Sequence, residues 1–175
     1  LADEFGVDAI RYYLLREVVF GSDGNYSLPA LIKRTNYDLA NDLGNLLHRT
    51  LTMVEKYFDG VIPAKGIEEG PDGDLKREAL NALAQVEENV EHLHFHQALE
   101  DLWRFVRRSN KYIDETTPWL LARDEQKKER LGTVLHHLLA SLRHISLILR
   151  PFLPDTAQSI WTQLGLREKM DQLNW

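Results

Sequence analysis

Hydrogen-bonding side chains recur at helical spacing between residues 34 and 49. Steps of four, three, four and four residues separate Arg34, Asp38, Asn41, Asn45 and Arg49. An α-helix would place these side chains on one face. Asparagine and arginine carry the amide and guanidinium donors that read base edges in nucleic acids, but they are also ordinary on a solvated helix face. The spacing leaves two interpretations open, an RNA-reading face and a solvent-exposed face.

A second set of residues could bind phosphate because it concentrates positive charge on one predicted helix. Helical spacing relates Arg104, Arg107, Arg108 and Lys111. Such a cluster attracts phosphate within a Debye length, about 8 Å at physiological salt. The whole chain carries 21 basic and 27 acidic residues and a net charge of -6, which excludes a globally basic nucleic-acid arm. A solvated cationic face is the alternative interpretation.

The segment after this cluster, residues 114–119 (DETTPW), contains a proline that must end the preceding helix. Pro118 can open the next helix and would place Trp119 in its first turn, with Asp114 one turn upstream. An indole exposed at such a corner is a platform on which a base can stack. The alternative is a hydrophobic plug that closes the end of a helical bundle.

Other chemistry is poorly supported by the residue inventory. The chain contains no cysteine, which excludes disulfides, Cys-ligated zinc, iron–sulfur clusters and thiol nucleophiles. His92 and His96 have the spacing of a helical metal pair, but no third ligand accompanies them, so structural or solvent-exposed histidines are favoured. We find no glycine-rich phosphate loop, nucleophile elbow or catalytic carboxylate pair, and we predict no catalytic residue and no metal site.

The elements that carry these residues are predicted to be helices, because apolar residues recur at spacings of three and four. Ser27 and Pro29 mark a helix start, and Gly44 suggests a close approach by a neighbouring helix. Residues 66–74 are predicted to form a solvated loop. The predicted helices span residues 7–18, 28–58, 75–93, 95–117, 118–123, 125–149 and 155–164. The fold class is therefore all-α, a helical bundle of about five or six main helices with antiparallel neighbours.

Composition and length describe a globular chain. With 43% hydrophobic and 27% charged residues, the 175-residue chain can bury a sizeable core. No apolar run approaches the ~20 residues that a membrane span requires. The first residue is Leu1 rather than Met, and we expect the chain to be part of a longer protein.

Several separate motifs occur in the order that bacterial methionyl-tRNA synthetases show in their C-terminal half. These motifs are residues 8–17 (DAIRYYLLRE), 20–24 (FGSDG), 36–46 (NYDLANDLGNL), 112–114 (YID) and 118–119 (PW). The chain closely resembles this part of that family over nearly its whole length. The resemblance implies a class I synthetase whose catalytic domain, with two ATP-handling signatures, lies largely before Leu1.

The resemblance also implies a division of the chain. Residues 1–27 would form a connecting segment after the catalytic domain, residues 28–165 the helical anticodon-binding bundle, and residues 166–175 a C-terminal tail. The ATP and methionine used by the parent enzyme, a methionine–tRNA ligase, would bind the catalytic domain. The present segment would need no cofactor and would be catalytically inactive alone.

The family's anticodon-reading residues correspond to matching positions of this sequence. They are Asn41, Asn45, Arg49 and Trp119, with Asp114 and Pro118 beside them. By this similarity Trp119 would stack on the cytosine of the CAU anticodon, while Asn45 and Arg49 would contact base edges. The implied partners are methionine tRNA and the parent catalytic domain, with neither DNA nor membrane, in the cytoplasm. The alternative function is a helical protein-interaction module without RNA binding.

Overall fold

Helices account for every regular element that the computed structural model describes, and it describes residues 2–172. Leu1 and residues 173–175, the ends of the predicted connecting segment and tail, lie outside the described residues. The all-α fold class is confirmed. The α-helices are α1 (Ala2–Phe5), α2 (Val7–Glu17), α3 (Leu28–Arg34), α4 (Asn45–Phe58), α5 (Gly70–Glu91), α6 (Phe95–Thr116), α7 (Pro118–Leu121), α8 (Lys128–Leu149) and α9 (Pro154–Gln163).

The predicted start of the second long helix is confirmed. The hydroxyl of Ser27 accepts a hydrogen bond from the amide of Ala30 at 3.4 Å, and Pro29 lies in the first turn of α3. An N-cap side chain satisfies one of the amides that the first turn leaves unpaired. The chain then stays helical to Phe58, where Asp59 adopts the left-handed conformation with φ of 51° and ends α4.

The interior of this long helix differs from the uniform α-helix that the apolar spacing predicts. Thr35–Gly44, between α3 and α4, is a π-helix, and the amide of Asn45 accordingly donates to the carbonyl of Ala40, five residues back. Gly44 does not mark the close approach of another helix, because a Cβ there would lie 3.2 Å from the carbonyl oxygen of Leu39 in the same segment. The small residue instead accommodates the segment's own backbone.

The predicted loop over residues 66–74 is wrong for its second half, because α5 begins at Gly70. A capping box starts this helix: the Glu69 side chain accepts from the backbone of Asp72, whose carboxylate accepts from the Glu69 amide at 2.8 Å. Pro71 lies in the first turn, where its missing amide costs nothing. Glycine and proline, which usually interrupt helices, here accompany a helix start.

The core lies where α8 packs against α6 and α9, with α5 against α6. Among its largest fully buried side chains are Trp103 of α6 and Trp161 of α9. The N-terminal helix α2 is bonded to the start of α9, since the Asp8 carboxylate accepts from the amide and hydroxyl of Thr156, both at 2.7 Å. A carboxylate at a helix N-terminus is favourable because the first-turn amides point at it. This bond joins α2 to the C-terminal part of the bundle.

Candidate nucleic-acid interface

The polar set between residues 34 and 49 does not share one exposed face. Asn41 and Asn45 are exposed and Arg49 is half-buried, whereas Asp38 is buried. The predicted common face assumed an α-helix throughout. Because Thr35–Gly44 is a π-helix, the angle from one of these side chains to the next around the helix axis differs from the α-helical value. Asn41, Asn45 and Arg49 therefore remain as candidates for contact with a base, and Arg34 and Asp38 have another role.

Asp38 is the centre of a buried hydrogen-bond network below the exposed asparagines. Its carboxylate accepts from the hydroxyl of Tyr12 at 2.7 Å and from Arg34 at 3.0 Å. Its backbone carbonyl accepts from the indole N–H of Trp103 at 3.2 Å. Burial raises the pKa of Tyr12, and the Asp38 carboxylate raises it further, so the phenol stays protonated and remains a donor. The network ties the π-helical segment to α2 and α6.

An ion pair joins two candidate residues that are far apart in the sequence. The Nη2 atom of Arg49, on α4, lies 3.0 Å from the Oδ1 atom of Asp114, near the end of α6. The side chains are 37% and 66% exposed, so water and a ligand can reach both groups. The pair holds the half-buried Arg49 guanidinium between α4 and α6, with part of it open to solvent.

Trp119 stands at the corner that Pro118 creates. Thr117 adopts the left-handed conformation with φ of 43°, and its amide donates to the carbonyl of Ile113 at 3.0 Å. This closes α6, and Pro118, which is buried, opens α7. Trp119 is 39% exposed, which leaves part of the residue open to solvent and favours the stacking platform over the hydrophobic plug.

The basic residues of α6 are all engaged with carboxylates. Arg104 binds Glu78 and Asp101, Arg107 binds Glu100, and both Arg108 and Lys111 approach Glu115. The positive charge predicted from the sequence is therefore largely neutralised by these neighbouring carboxylates. Lys111 is the most exposed of the four, at 72%, and Arg108 the least, at 17%. Phosphate contact by these residues stays a prediction.

Sequence reasoning missed a buried charge network near the interface. The Asp72 carboxylate of α5 accepts two hydrogen bonds from Arg130 of α8, at 2.6 and 2.9 Å, and a third from the hydroxyl of Tyr112. Burial would raise the pKa of Asp72, but the bonds from Arg130 and Tyr112 outweigh it and hold that pKa below its usual value. Residue 72 sat in a predicted loop, and the capping-box spacing from Glu69 was the one local signal for its helical placement.

The structure holds no arrangement of ligands for a metal among residues 2–172, where no group of three or more histidine or acidic residues converges. His92 and His94 instead place their rings against each other, with centroids 6.0 Å apart. Within the same residues, no helix is long and apolar enough to cross a membrane.

Comparison with known families identifies the bundle. The family model described as the anticodon-binding domain of tRNA ligase matches residues 72–175, and the model described as tRNA synthetases class I (M) matches residues 1–51. The chain belongs to the anticodon-binding family of tRNA ligases. The first match covers α5 to α9 and includes Asp114 and Trp119, whereas Asn41, Asn45 and Arg49 lie in the second.

Curated relatives of this family member are methionine–tRNA ligases. The chain is 56% identical over 170 residues to that of Caldanaerobacter subterraneus and 53% identical over 167 residues to that of Clostridium perfringens. These alignments cover 97% and 95% of the chain but only 27% and 26% of the relatives. The chain therefore spans about a quarter of the length of the relatives it matches. The resemblance to bacterial methionyl-tRNA synthetases is confirmed.

A solved structure supports the same assignment. The apo form of the Mycobacterium tuberculosis methionyl-tRNA synthetase matches with a TM-score of 0.88 at 39% sequence identity. The match covers 91% of this chain and 33% of that one. A second structure of that synthetase, in complex with methionyl-adenylate, has a TM-score of 0.87. The function as an anticodon-binding domain is confirmed at the level of the family, and nothing favours a protein-interaction module.

Proposed function

We propose that this chain recognises the CAU anticodon of methionine tRNA for a parent methionine–tRNA ligase. The observation that carries the proposal is the joint presentation of Arg49, Asp114 and Trp119 at the surface. An ion pair of 3.0 Å links Arg49 to Asp114, and Thr117, a single residue in the left-handed conformation, lies between the end of α6 that carries Asp114 and the helix α7 that carries the exposed Trp119. A guanidinium group, a carboxylate and an aromatic ring are groups that recognise an unpaired base, the first two by hydrogen bonds to its edge and the third by stacking.

The proposed reading of cytosine divides the work between stacking and hydrogen bonding. Trp119 supplies a flat surface on which the base stacks, which favours any base because every base has a π-face. Asn45 and Arg49 contact base edges, and Asn41 extends the same polar surface by one turn toward α3. Stacking thus contributes affinity, whereas the edge contacts contribute the choice of base.

Asp114 adds a physical reason for preferring cytosine over uracil. A carboxylate accepts a hydrogen bond from the amino group of cytosine, but uracil presents a carbonyl oxygen at the same position. Two acceptors facing each other without a proton between them repel. Asp114 also keeps the Arg49 guanidinium oriented before RNA arrives, and its 66% exposure lets water solvate the carboxylate if the pair opens.

The parent activity that we propose is ATP-dependent attachment of methionine to its tRNA. That chemistry requires a nucleotide site, and this chain contains no glycine-rich phosphate loop. The role of the present residues is therefore to bind and orient the anticodon arm, so that selection of the tRNA precedes chemistry elsewhere in the parent. The partners are methionine tRNA and the parent catalytic domain.

The proposal is tested by the affinity of the chain for two matched stem–loop RNAs, one with CAU in its loop and one with UAU. A single good base-edge contact is worth about 1 to 3 kcal/mol, so we expect the CAU stem–loop to bind about 5- to 150-fold more tightly. Titration at fixed salt measures the ratio, because the phosphate contribution is common to both RNAs. Equal affinities would overturn the proposed function.

A further inference from the structure

The π-helical segment Thr35–Gly44 carries Asn41, an exposed candidate for base contact, and ends directly before the exposed candidate Asn45. π-helices are rare because their wider turn is less favourable than the α-helical one, and where they persist something outside the helix holds them. The register of this segment sets the angle between the two asparagines. Each residue advances by about 100° in an α-helix and by less in the wider π-helix, so a return to α-helical register would rotate Asn45 relative to Asn41.

Two side chains of α6 reach across to carbonyl groups of this segment. The indole N–H of Trp103 donates to the carbonyl of Asp38 at 3.2 Å, and the Nδ2 atom of Asn110 donates to the carbonyl of Asp42 at 2.9 Å. The donors are seven residues apart, two helical turns, and therefore project from one face of α6. Their acceptors are four residues apart in the π-helical segment. The two bonds thus fasten α6 to successive turns of the segment.

The attachment is firm at the Asp38 end because several groups meet there. Trp103 is 1% exposed, and its ring packs on that of Tyr12 with centroids 4.5 Å apart. Tyr12 in turn donates to the Asp38 carboxylate. Asn110 is half-buried, and it secures the Asp42 end, one turn before Asn45. A carbonyl oxygen has two lone pairs, so each can accept from α6 in addition to its helical amide.

We propose that Trp103 and Asn110 are positioning residues, which hold Thr35–Gly44 in the π-helical register and so fix the direction in which Asn41 and Asn45 face an RNA base. The inference rests on the proposed function, because it concerns how base edges are read. It assigns specificity to two side chains of α6 that do not themselves reach the RNA. Discrimination between bases depends on the register, whereas stacking and phosphate attraction do not.

The test uses Asn110→Leu in the full chain, which keeps the size of the side chain and removes its donor. Ser109→Ala is the matched control, because the Ser109 hydroxyl bonds only the carbonyl of Phe105 within α6. Without RNA, the NMR coupling across the hydrogen bond from the Asn45 amide to the Ala40 carbonyl reports the π-helical register. With RNA, titration gives the ratio of affinities for the CAU and UAU stem–loops.

We expect Asn110→Leu to lose the coupling and to lower the CAU-to-UAU affinity ratio by about fivefold or more, the value of one base-edge contact. Affinity for the UAU stem–loop should stay the same, and Ser109→Ala should change neither measurement. Persistence of either the coupling or the full ratio in Asn110→Leu would overturn the proposal, because register and discrimination must change together.

Trp103→Phe provides an independent variant, since it removes the indole donor and keeps an aromatic ring in the core. It should reproduce the loss of coupling and of discrimination if Asn110→Leu does not fold. Unfolding of both variants would assign the two donors to stability and would overturn the positioning role. If the unsubstituted chain shows the coupling but binds the CAU and UAU stem–loops equally, the proposed function has failed. The positioning role is then overturned as well.

Discussion

Two tryptophans of this chain do different work because they lie in different surroundings. Trp103 is buried in α6, where its N–H has a backbone acceptor and its ring fills the core. Trp119 lies at the α6–α7 corner, where 39% of the residue remains exposed. A buried indole contributes to the free energy of folding, whereas an exposed one keeps its ring face available for a ligand. Substitutions at the two positions should therefore have separable effects.

Trp119→Ala should weaken binding of the CAU stem–loop about 5- to 150-fold, because stacking of one base on an aromatic ring is worth about 1 to 3 kcal/mol. Thermal unfolding should change little, since the side chain leaves no large cavity when removed. Leu120→Ala, at the exposed neighbour in α7, is the control and should bind the CAU stem–loop with the affinity of the unsubstituted chain. Unchanged affinity in Trp119→Ala together with a loss of ~3 to 5 kcal/mol in stability would favour a core role instead.

Asn45→Ala and Arg49→Ala should each cost about 1 to 3 kcal/mol of binding free energy for the CAU stem–loop. The ratio of affinities for the CAU and UAU stem–loops should also fall, because contacts with base edges distinguish one base from another and stacking does not. His48→Ala, an exposed position on the same helix, is a suitable control. Equal weakening toward both RNAs would contradict the assignment of these residues to base edges.

At the scale of elements, α6 carries both the charged surface and the buried donors that organise the interface. Its basic residues alternate with the acidic residues Glu100, Asp101 and Glu115, so ion pairs form within the helix and across to α5. The more exposed pairs, Arg107 with Glu100 and Lys111 with Glu115, contribute little to stability, typically 0 to ~1 kcal/mol. Breaking these ion pairs to bind a phosphate group would therefore cost little free energy.

Arg107 and Lys111, each of which pairs with a single carboxylate, should account for any phosphate binding. Arg107→Ala combined with Lys111→Ala should lower affinity for both stem–loops equally and reduce the salt slope by roughly 0.7 to 0.9 for each phosphate that is no longer neutralised. Arg104→Ala combined with Arg108→Ala is the matched control, because Arg104 already binds two carboxylates and Arg108 is 17% exposed. A slope unchanged in the first double variant would show that these side chains touch no phosphate.

The Asp72 network should dominate the packing of α5 on α8. Asp72→Asn should destabilise the fold by about 3 to 5 kcal/mol at neutral pH, because it leaves Arg130, whose side chain is 11% exposed, without its buried counter-charge. The measurement is urea-induced unfolding at pH 7. A matched control is Asp74→Asn, whose carboxylate is exposed and pairs only with the exposed Arg77.

The same network sets a pH dependence with a defined sign. The folded state lowers the pKa of Asp72, so its contribution is complete above the unfolded pKa of about 3.9 and is lost as pH falls through the lower folded value. The difference in free energy of unfolding between the unsubstituted chain and Asp72→Asn should therefore be constant near neutral pH and shrink below pH ~4. A difference that stays constant into strong acid would contradict the role of this carboxylate.

At the scale of the whole molecule, side-chain bonds unite regions that match different family models. Asp8 of α2, within the class I synthetase match, caps the start of α9 in the anticodon-binding match. Arg11 of α2 also donates to the carbonyl of Phe152 at 2.8 Å. Packing of α2 against α6 and α9 therefore makes the N-terminal helices part of the same folded unit as the bundle.

The chain by itself should show no methionine-dependent exchange of pyrophosphate into ATP. The reason is that the resemblance assigns the two ATP-handling signatures of class I synthetases to the catalytic domain, and this chain spans only about a quarter of its relatives' length. The measurement compares the purified chain with a blank, and a full-length methionine–tRNA ligase serves as the positive control. Exchange above the blank would mean that this chain holds a nucleotide site of its own.

Sequence alone determined the features that depend on neighbouring residues. Apolar spacing predicts the helices, Ser27 and Pro29 predict the start of α3, and Pro118 predicts the corner that carries Trp119. These signals are local because a helix repeats every 3.6 residues and its caps act within one turn. The family motifs then identify the anticodon-binding fold.

Tertiary structure decided which polar residues face solvent and which are paired. Arg49 meets Asp114 across 65 positions of sequence, and Asp72 meets Arg130 across 58. The π-helical register depends on donors from α6, which lie just as far along the chain. Hydrogen bonds and ion pairs require atoms within about 3 to 4 Å, and no local periodicity encodes that proximity between distant segments. Burial of Asp38 and exposure of Asn45 on one continuous helix follow from how α6 packs against it.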